Sequence, residues 1–389
     1  MTRRRQGYDD IVVAAPVTIP YVRFSMRAAH WWIGRAFGEL VKRSGIAKER
    51  IDGFCVSSFT LFPDTAIGLS EHLGITTRWL DFVPLGGNCG VVSLRRAARA
   101  VQSGDAEVVA CIAGDTNHVD SFRQGTANFS RFARDAVYPI GAGGPNASFA
   151  YLTEYYMRTY GAEPEDFGKM CVAQRDNALK IPHAMFKKPL TLEEYLGSRM
   201  ISDPVRLFDC VMPCAGAEGF LVMRRELAEA QGLPYARILS TIERHNAFQS
   251  DPIQFRGGWA LDCGELYGQA GVKPDDIDFV ETYDDYPVIN MLQFEDLGFC
   301  GKGEAPALVR ANTLTVYGTF PFNTSGGQLS VGQAGAAGGM LGLVEAIRQL
   351  TGQTIGGAVP DARLGLVCGF GMINYDRGLS SGAVILAAP

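Results

Sequence analysis

Chemistry in this chain is most easily placed at Leu85-Gly86-Gly87-Asn88-Cys89-Gly90, where small residues surround one thiol. The run that follows carries Val92, Leu94, Ala97, Ala98 and Val101 at helical spacing, which predicts Cys89 at or near a helix N-terminus. Unpaired backbone N–H groups and the helix dipole favour thiolate over thiol there, as a nucleophile requires. A buried free cysteine in a tight turn is the competing reading of the same residues. A second stretch, Glu281-Thr282-Tyr283-Asp284-Asp285-Tyr286, offers a phenol and carboxylates on a loop after a strand, where α/β proteins build sites. An Asx turn before Pro287 would use the same side chains.

The elements that must hold these residues alternate between helical and strand patterns. Ile33 to Ser44 reads as a helix stopped by Gly45, Ile51 to Val56 as a strand, and Ala66 to Leu73 as a short helix. Trp79 to Pro84 leads by a strand into the Cys89 turn, and the helix after it closes at Gly104. Val108 to Gly114 is short and wholly apolar, so it is predicted as a central strand. From about 115 to 200 the pattern breaks into an inserted loop or cap region, with helical stretches near 147–160 and 165–179. Ala217 to Arg224 closes the first half as a strand.

The second half repeats the first. Val41 to Phe54 and Tyr267 to Phe279 share a helix end, a glycine stop, a charged turn and a strand opening with Ile-Asp. The Cys89 turn, its helix and its strand are echoed by Gly332-Gln333-Ala334, a helix from Gly338 to Leu350 and a strand from Leu364 to Cys368. Two such units, at 1–235 and 236–389 and with mainly parallel buried strands, predict a duplicated α/β/α/β/α five-layer sandwich. The helices after Cys89 and Gln333 should pack at its centre with their N-termini on one pocket.

Composition narrows the function. A hydrophobic fraction of 47% excludes disorder, and a net charge of -5 argues against nucleic acid as a partner. Nine cysteines lack paired metal spacings, so reduced thiols are expected and no metal site. No apolar run reaches the length needed to cross a bilayer, and a soluble cytoplasmic protein is expected.

These motifs resemble the thiolase superfamily, and within it the proteins related to the sterol carrier protein type. Cys89 lies where that family carries its acyl-accepting cysteine. Asn323-Thr324-Ser325-Gly326-Gly327 followed by Gly332-Gln333-Ala334-Gly335 is similar to the block Asn-x-x-Gly-Gly, four residues, Gly-His-Pro-Leu-Gly. Glu281 to Tyr286 falls where the family has Glu-x-Asn-Glu-Ala-Phe or Glu-x-His-Asp-Cys-Phe, and Cys368-Gly369 where Cys-x-Gly closes the site. The departures are Gln333 for histidine, Tyr283 for asparagine or histidine, and a missing residue after Cys368.

The resemblance implies an acyl-CoA substrate with no bound cofactor, and an oxyanion hole from the backbone of Cys89 and Gly371. It also implies a substrate- or CoA-binding role for Asn323, Ser325, Gly326 and Gly327. Gln333 can donate a hydrogen bond at the catalytic site but cannot act as a base; Cys368, Tyr283, Asp284, Asp285, His118 and Tyr375 are the candidates for the missing acid/base group, and His245 is a candidate for the CoA phosphates. A homodimer and a small partner carrying a zinc ribbon and an OB-fold are further implications. Acyl transfer through a Cys89 thioester is the leading expectation. The alternatives are retro-aldol cleavage of a β-hydroxyacyl-CoA with Tyr283 as acid/base, and a non-catalytic acyl-CoA or lipid scaffold. Aromatic residues of the insertion, Phe122, Phe129, Phe132, Tyr138, Tyr151, Tyr155 and Tyr156, suggest a bulky acyl group.

Overall fold

A computed structural model describes residues 6–118, 134–142 and 144–389. The strands β1 (Ile11–Val22), β2 (Gly53–Ser57), β3 (Trp79–Phe82), β4 (Val108–Asp115), β5 (Ala215–Arg224), β6 (Tyr235–His245), β7 (Phe279–Glu281), β8 (Leu364–Asn374) and β9 (Arg377–Ala387) form one sheet, in the order β3-β2-β4-β5-β1-β6-β9-β8-β7. Outward from the seam, β1-β5-β4-β2-β3 on one side recurs as β6-β9-β8-β7 on the other. The seam itself is short, pairing Val12–Ala14 of β1 with Tyr235–Arg237 of β6.

The helices that position the site are α1 (Ala29–Ser44), α2 (Ala66–Leu73), α3 (Cys89–Ser103), α4 (Pro145–Tyr160), α5 (Pro164–Ala178), α6 (Trp259–Ala270), α7 (Pro287–Asp296) and α8 (Gly338–Thr351). Helices α3 and α8 pack on each other and on strands from both sides of the seam, which makes them the middle layer. Val92, Leu94, Ala97, Ala98 and Val101 of α3 share one apolar core with Met340, Leu343, Val344 and Ile347 of α8. A second core joins α1 to the outer face of the first strands, and a third joins α4, α5, α6 and α7 to the outer face of the second. The result is the five-layer α/β/α/β/α sandwich.

The repeat extends to hydrogen bonds. Gly45 and Gly271 both end their helices in the left-handed conformation, with N–H groups donating to Val41 O and Tyr267 O. The Asp52 carboxylate accepts the N–H groups of Glu107 and Val108 at the start of β4, and Asp278 accepts those of Arg363 and Leu364 at the start of β8.

Strand direction departs from expectation. Parallel pairing is confined to β3-β2-β4 and β8-β7, and the remaining pairs are antiparallel. A strand covered by helices on both faces is apolar throughout whichever way its neighbour runs, so composition does not report direction. β8 also runs on to Asn374, because Gly369 and Gly371 pair with Gly382 and Ser380 instead of opening a loop.

In the insertion, Phe122, Phe129 and Phe132 lie outside the described residues. Of the other aromatics, Tyr156 is buried and hydrogen-bonded to Glu295 of α7, while Tyr138 and Tyr151 are exposed. Among the described residues no helix is long and apolar enough to cross a membrane.

Candidate active site

Gly86–Asn88 make one tight turn ahead of α3, and Cys89 opens the helix. The two central helices meet here with almost no side chain between them. A Cβ on Gly90 would stand 2.3 Å from Gly339 O, and one on Gly339 would stand 2.4 Å from Gly86 O. The convergence of N-termini expected from the repeat is therefore present. The turn is pinned from the second half by Asn88, whose Nδ2 donates to Ser380 Oγ at 2.6 Å. Gly371 lies against the same turn, where a Cβ would come within 2.0 Å of Leu85 O.

Cys89 is buried, and its thiol donates to Ala336 O at 3.1 Å. Burial pushes the thiol up to about 12, with Cys55 and Asp115 adding to the shift and the Ser57 hydroxyl opposing it. Desolvation thus outweighs the helix N-terminus and acts against the expected thiolate. The Cys89 N–H, expected in the oxyanion hole, donates to Gly86 O and closes the turn.

Tyr283 comes to the turn from the end of β7. Its ring lies over Gly87, where a Cβ would be 2.1 Å from the ring carbons, so only glycine admits the phenol. Gln293 of α7 clamps the tyrosine backbone by accepting its N–H at 3.0 Å and donating to its carbonyl at 2.8 Å. Gln333 Nε2 bridges the phenol and a carboxylate, donating to Asp285 Oδ1 at 2.5 Å and to Tyr283 Oη at 3.4 Å. Burial and the neighbouring Asp284 charge raise Asp285 to about 7, against the opposing effect of Tyr283 and Gln333. Burial, and then Asp285, hold the phenol well above its usual range.

Other candidates take different places. Asp284 turns away from the phenol and caps the short helix Gly327–Val331, accepting the N–H groups of Gln328 and Leu329 at 3.0 and 3.2 Å. It caps that distant helix, and no local Asx turn before Pro287 is formed by its hydrogen bonds among the described residues. Cys368 belongs to the outer core with Leu366 and Phe370, whereas Val367 faces the middle layer, and Cys368 lines a small cavity that also borders Tyr283, Asp284 and Gly339.

Asn323, Ser325, Gly326 and Gly327 are all buried and form no open binding surface. Asn323 Oδ1 accepts Thr282 N–H at 2.7 Å, and Gly326 and Gly327 let this loop press against α5 and Asp284. His245 is half-exposed at the end of β6, with its Nε2 2.9 Å from Glu243, so a carboxylate occupies the ring proposed for phosphates. His118 is half-buried three residues beyond the end of β4.

One important residue escaped the sequence reading. Asp115 is buried at the end of β4, where it accepts the hydroxyls of Ser58 and Thr60 and the N–H groups of Phe59, Thr60 and Ala336. It thereby fixes Ala336, the acceptor of the Cys89 thiol. A carboxylate ending the apolar run from Val108 was the available signal. Among the described residues, no group of three or more His, Cys, Asp or Glu is arranged to hold a metal ion.

The arrangement offers a phenol and, across Gln333, a carboxylate raised to about 7, beside the N-terminus of a central helix. The duplicated sandwich that holds it has recognisable relatives. The chain belongs to the thiolase superfamily, with the proteins related to the sterol carrier protein type. The family profile described as Thiolase C-terminal domain-like matches residues 252–385. The chain is 32% identical over 331 residues to a steroid side-chain-cleaving aldolase of Thermomonospora curvata, covering 80% of this chain and 83% of that one. It is 31% identical to a 17-hydroxy-3-oxo-4-pregnene-20-carboxyl-CoA lyase of Mycobacterium tuberculosis, covering 80% and 84%. The solved Ltp2-ChsH2(DUF35) aldolase superposes with a TM-score of 0.85 at 27% identity, covering 97% of this chain and 98% of that one. These relatives support an enzyme.

Proposed function

We propose that this enzyme is a carbon–carbon lyase, a retro-aldolase that cleaves a bulky β-hydroxyacyl-CoA ester with Tyr283 and Asp285 as its acid/base pair. The observation that carries this reading is the Tyr283–Asp285–Gln333 cluster lying over the Cys89 turn. The pair takes the proton of the β-hydroxyl, the phenol accepting it as its own proton passes to the Asp285 carboxylate. The Cα–Cβ bond then breaks, a carbonyl forms at Cβ, and the electron pair moves onto the thioester as an enolate. Protonation at Cα by the same pair completes the balance, so no oxidant and no free CoA is consumed. The positive end of α3 and the Gly371 backbone stabilise the enolate oxygen.

The names of the relatives favour a steroid-type side chain as the acyl group and a DUF35-type subunit as partner. A homodimer and a cytoplasmic location belong to the same proposal. Acyl transfer through Cys89 differs in one requirement: a thiolase consumes CoA.

The test is to incubate the full chain, alone and with a DUF35-type subunit, with a branched β-hydroxyacyl-CoA in CoA-free buffer. Equimolar release of a carbonyl compound and a shortened acyl-CoA is expected. Turnover only of a β-ketoacyl-CoA, and only with CoA added, would establish the thiolase instead.

A further inference from the structure

Outside this site, a buried cation on α5 lacks an ion-pair partner among the described residues. Arg175, in the last turn of α5, is only 4% exposed. Its Nε donates to Ser330 Oγ and its Nη1 to Lys188 O, both at 3.2 Å, while Nη2 has no hydrogen bond among the described residues. The guanidinium stacks 4.2 Å from the centre of the Phe186 ring, with Phe208 at 5.7 Å on a second side. No carboxylate of the described residues lies within ion-pair distance of it. Burial lowers its hold on the proton, as expected of a cation deprived of water and of a partner.

Arg175 forms part of the wall of a cleft of about 740 Å³ whose lining also includes Lys187, Lys188, Leu190 and Glu194. The Lys187 ammonium is engaged by the carbonyls of Ile181 and Pro182, whereas Lys188 is exposed at the rim. Three cations therefore face one carboxylate across an apolar floor. A planar guanidinium held rigidly between rings, with one edge unused, suits a tetrahedral oxyanion, and the surplus charge favours a dianion over a carboxylate.

We propose that this cleft is a binding subsite for a phosphate-type dianion, held by Arg175 Nη2 and the Lys188 ammonium, with Lys187 adding charge. The cleft backs onto the active site. Met185 and Phe186 donate their N–H groups to Val331 O and Ser330 O, on the segment that delivers Gln333 to Tyr283. The dianion is either the phosphorylated nucleotide end of the CoA ester or free phosphate, and taking the ester as its source rests on the lyase reading above.

Calorimetry on the full chain tests this without turnover, so the subsite and the lyase reading fail separately. Inorganic pyrophosphate and adenosine 3′,5′-bisphosphate are the probes, with succinate as a carboxylate control. Saturable binding of pyrophosphate is expected, weakened about tenfold by Arg175→Gln and by Lys188→Ala. The remote Lys42→Ala variant should bind as the parent does. Adenosine bisphosphate binding with the same dependence identifies the ester as the source, and binding of pyrophosphate alone identifies free phosphate. Lys188→Ala changes an exposed side chain and keeps the test valid if Arg175→Gln does not fold. Absence of saturable pyrophosphate binding, binding unchanged in both variants, or equal affinity for succinate overturns the proposal.

Discussion

Tyr283 and Asp285 are adjacent in sequence, yet their partnership depends on three other elements. Gly87 makes room for the ring, Gln293 fixes the backbone, and Gln333 holds the carboxylate. A base raised to about 7 is half ionised at neutral pH, which suits proton transfer in both directions. Its carboxylate form is needed to receive the first proton, so kcat/KM should rise with pH and level off above about 7. In Asp285→Asn the residual rate should lack this limb, and an unchanged pH profile would remove Asp285 from the proton path. At this scale the sequence was only partly legible. Cys89 could be placed at a helix start, but its depth could not, and depth is the main cause that raises its thiol. Asp284 and Asp285 could not be told apart either, since the choice depends on which carboxylate meets the Gly327–Val331 helix, more than 40 residues away.

The site exists because two helix starts touch. α3 and α8 approach through Gly90 and Gly339, and each replaces side-chain packing with backbone contact. Gly90→Ala would force a methyl to 2.3 Å from a carbonyl oxygen, so a destabilisation of about 1–3 kcal/mol or more is expected in denaturant unfolding. Gly38→Ala in α1, where a Cβ meets nothing within 4 Å, should instead be neutral or stabilising. Equal stability of the two variants would show that the central helices can separate without cost. These elements were the most legible part of the chain. The helices from Ala66 and from Cys89 were placed by periodicity and glycine stops, and the matched Ile-Asp pairs proved to be matched caps on the next strand. Strand direction was not legible, because cover by helices on both faces removes the alternation that would reveal it.

Across the whole molecule, the middle layer buries charge as well as apolar surface. Glu218 of β5 is fully buried, accepts Tyr21 Oη at 2.8 Å and Thr18 Oγ1 at 2.6 Å, and is raised to about 7 by burial despite the nearby Arg348. Its folded-state value lies above the ordinary value for glutamate. The stability it contributes is therefore complete below about pH 4 and is lost as pH rises to about 7. Asp209 and Asp296, each raised to about 6 by burial, act with the same sign. Glu218→Gln should flatten the loss of thermal stability between about pH 5 and 7, and an equally steep loss in the variant would assign it to other groups. Duplication and layering could be read from the sequence because they rest on repeated local signals. The cluster around Glu218 could not, because its members come from β1, β5 and α8.

The claim that a phenol, and not a thiol, carries the chemistry is tested most directly by comparing Cys89→Ser and Tyr283→Phe in one assay of β-hydroxyacyl-CoA cleavage. Serine keeps the donor to Ala336 O and removes the sulfur nucleophile. The account predicts that Cys89→Ser cleaves within about threefold of the parent, while Tyr283→Phe loses about 10²- to 10⁴-fold in kcat. Loss of activity in Cys89→Ser, with an acyl thioester detected by mass on Cys89 of the parent and full activity in Tyr283→Phe, would contradict it.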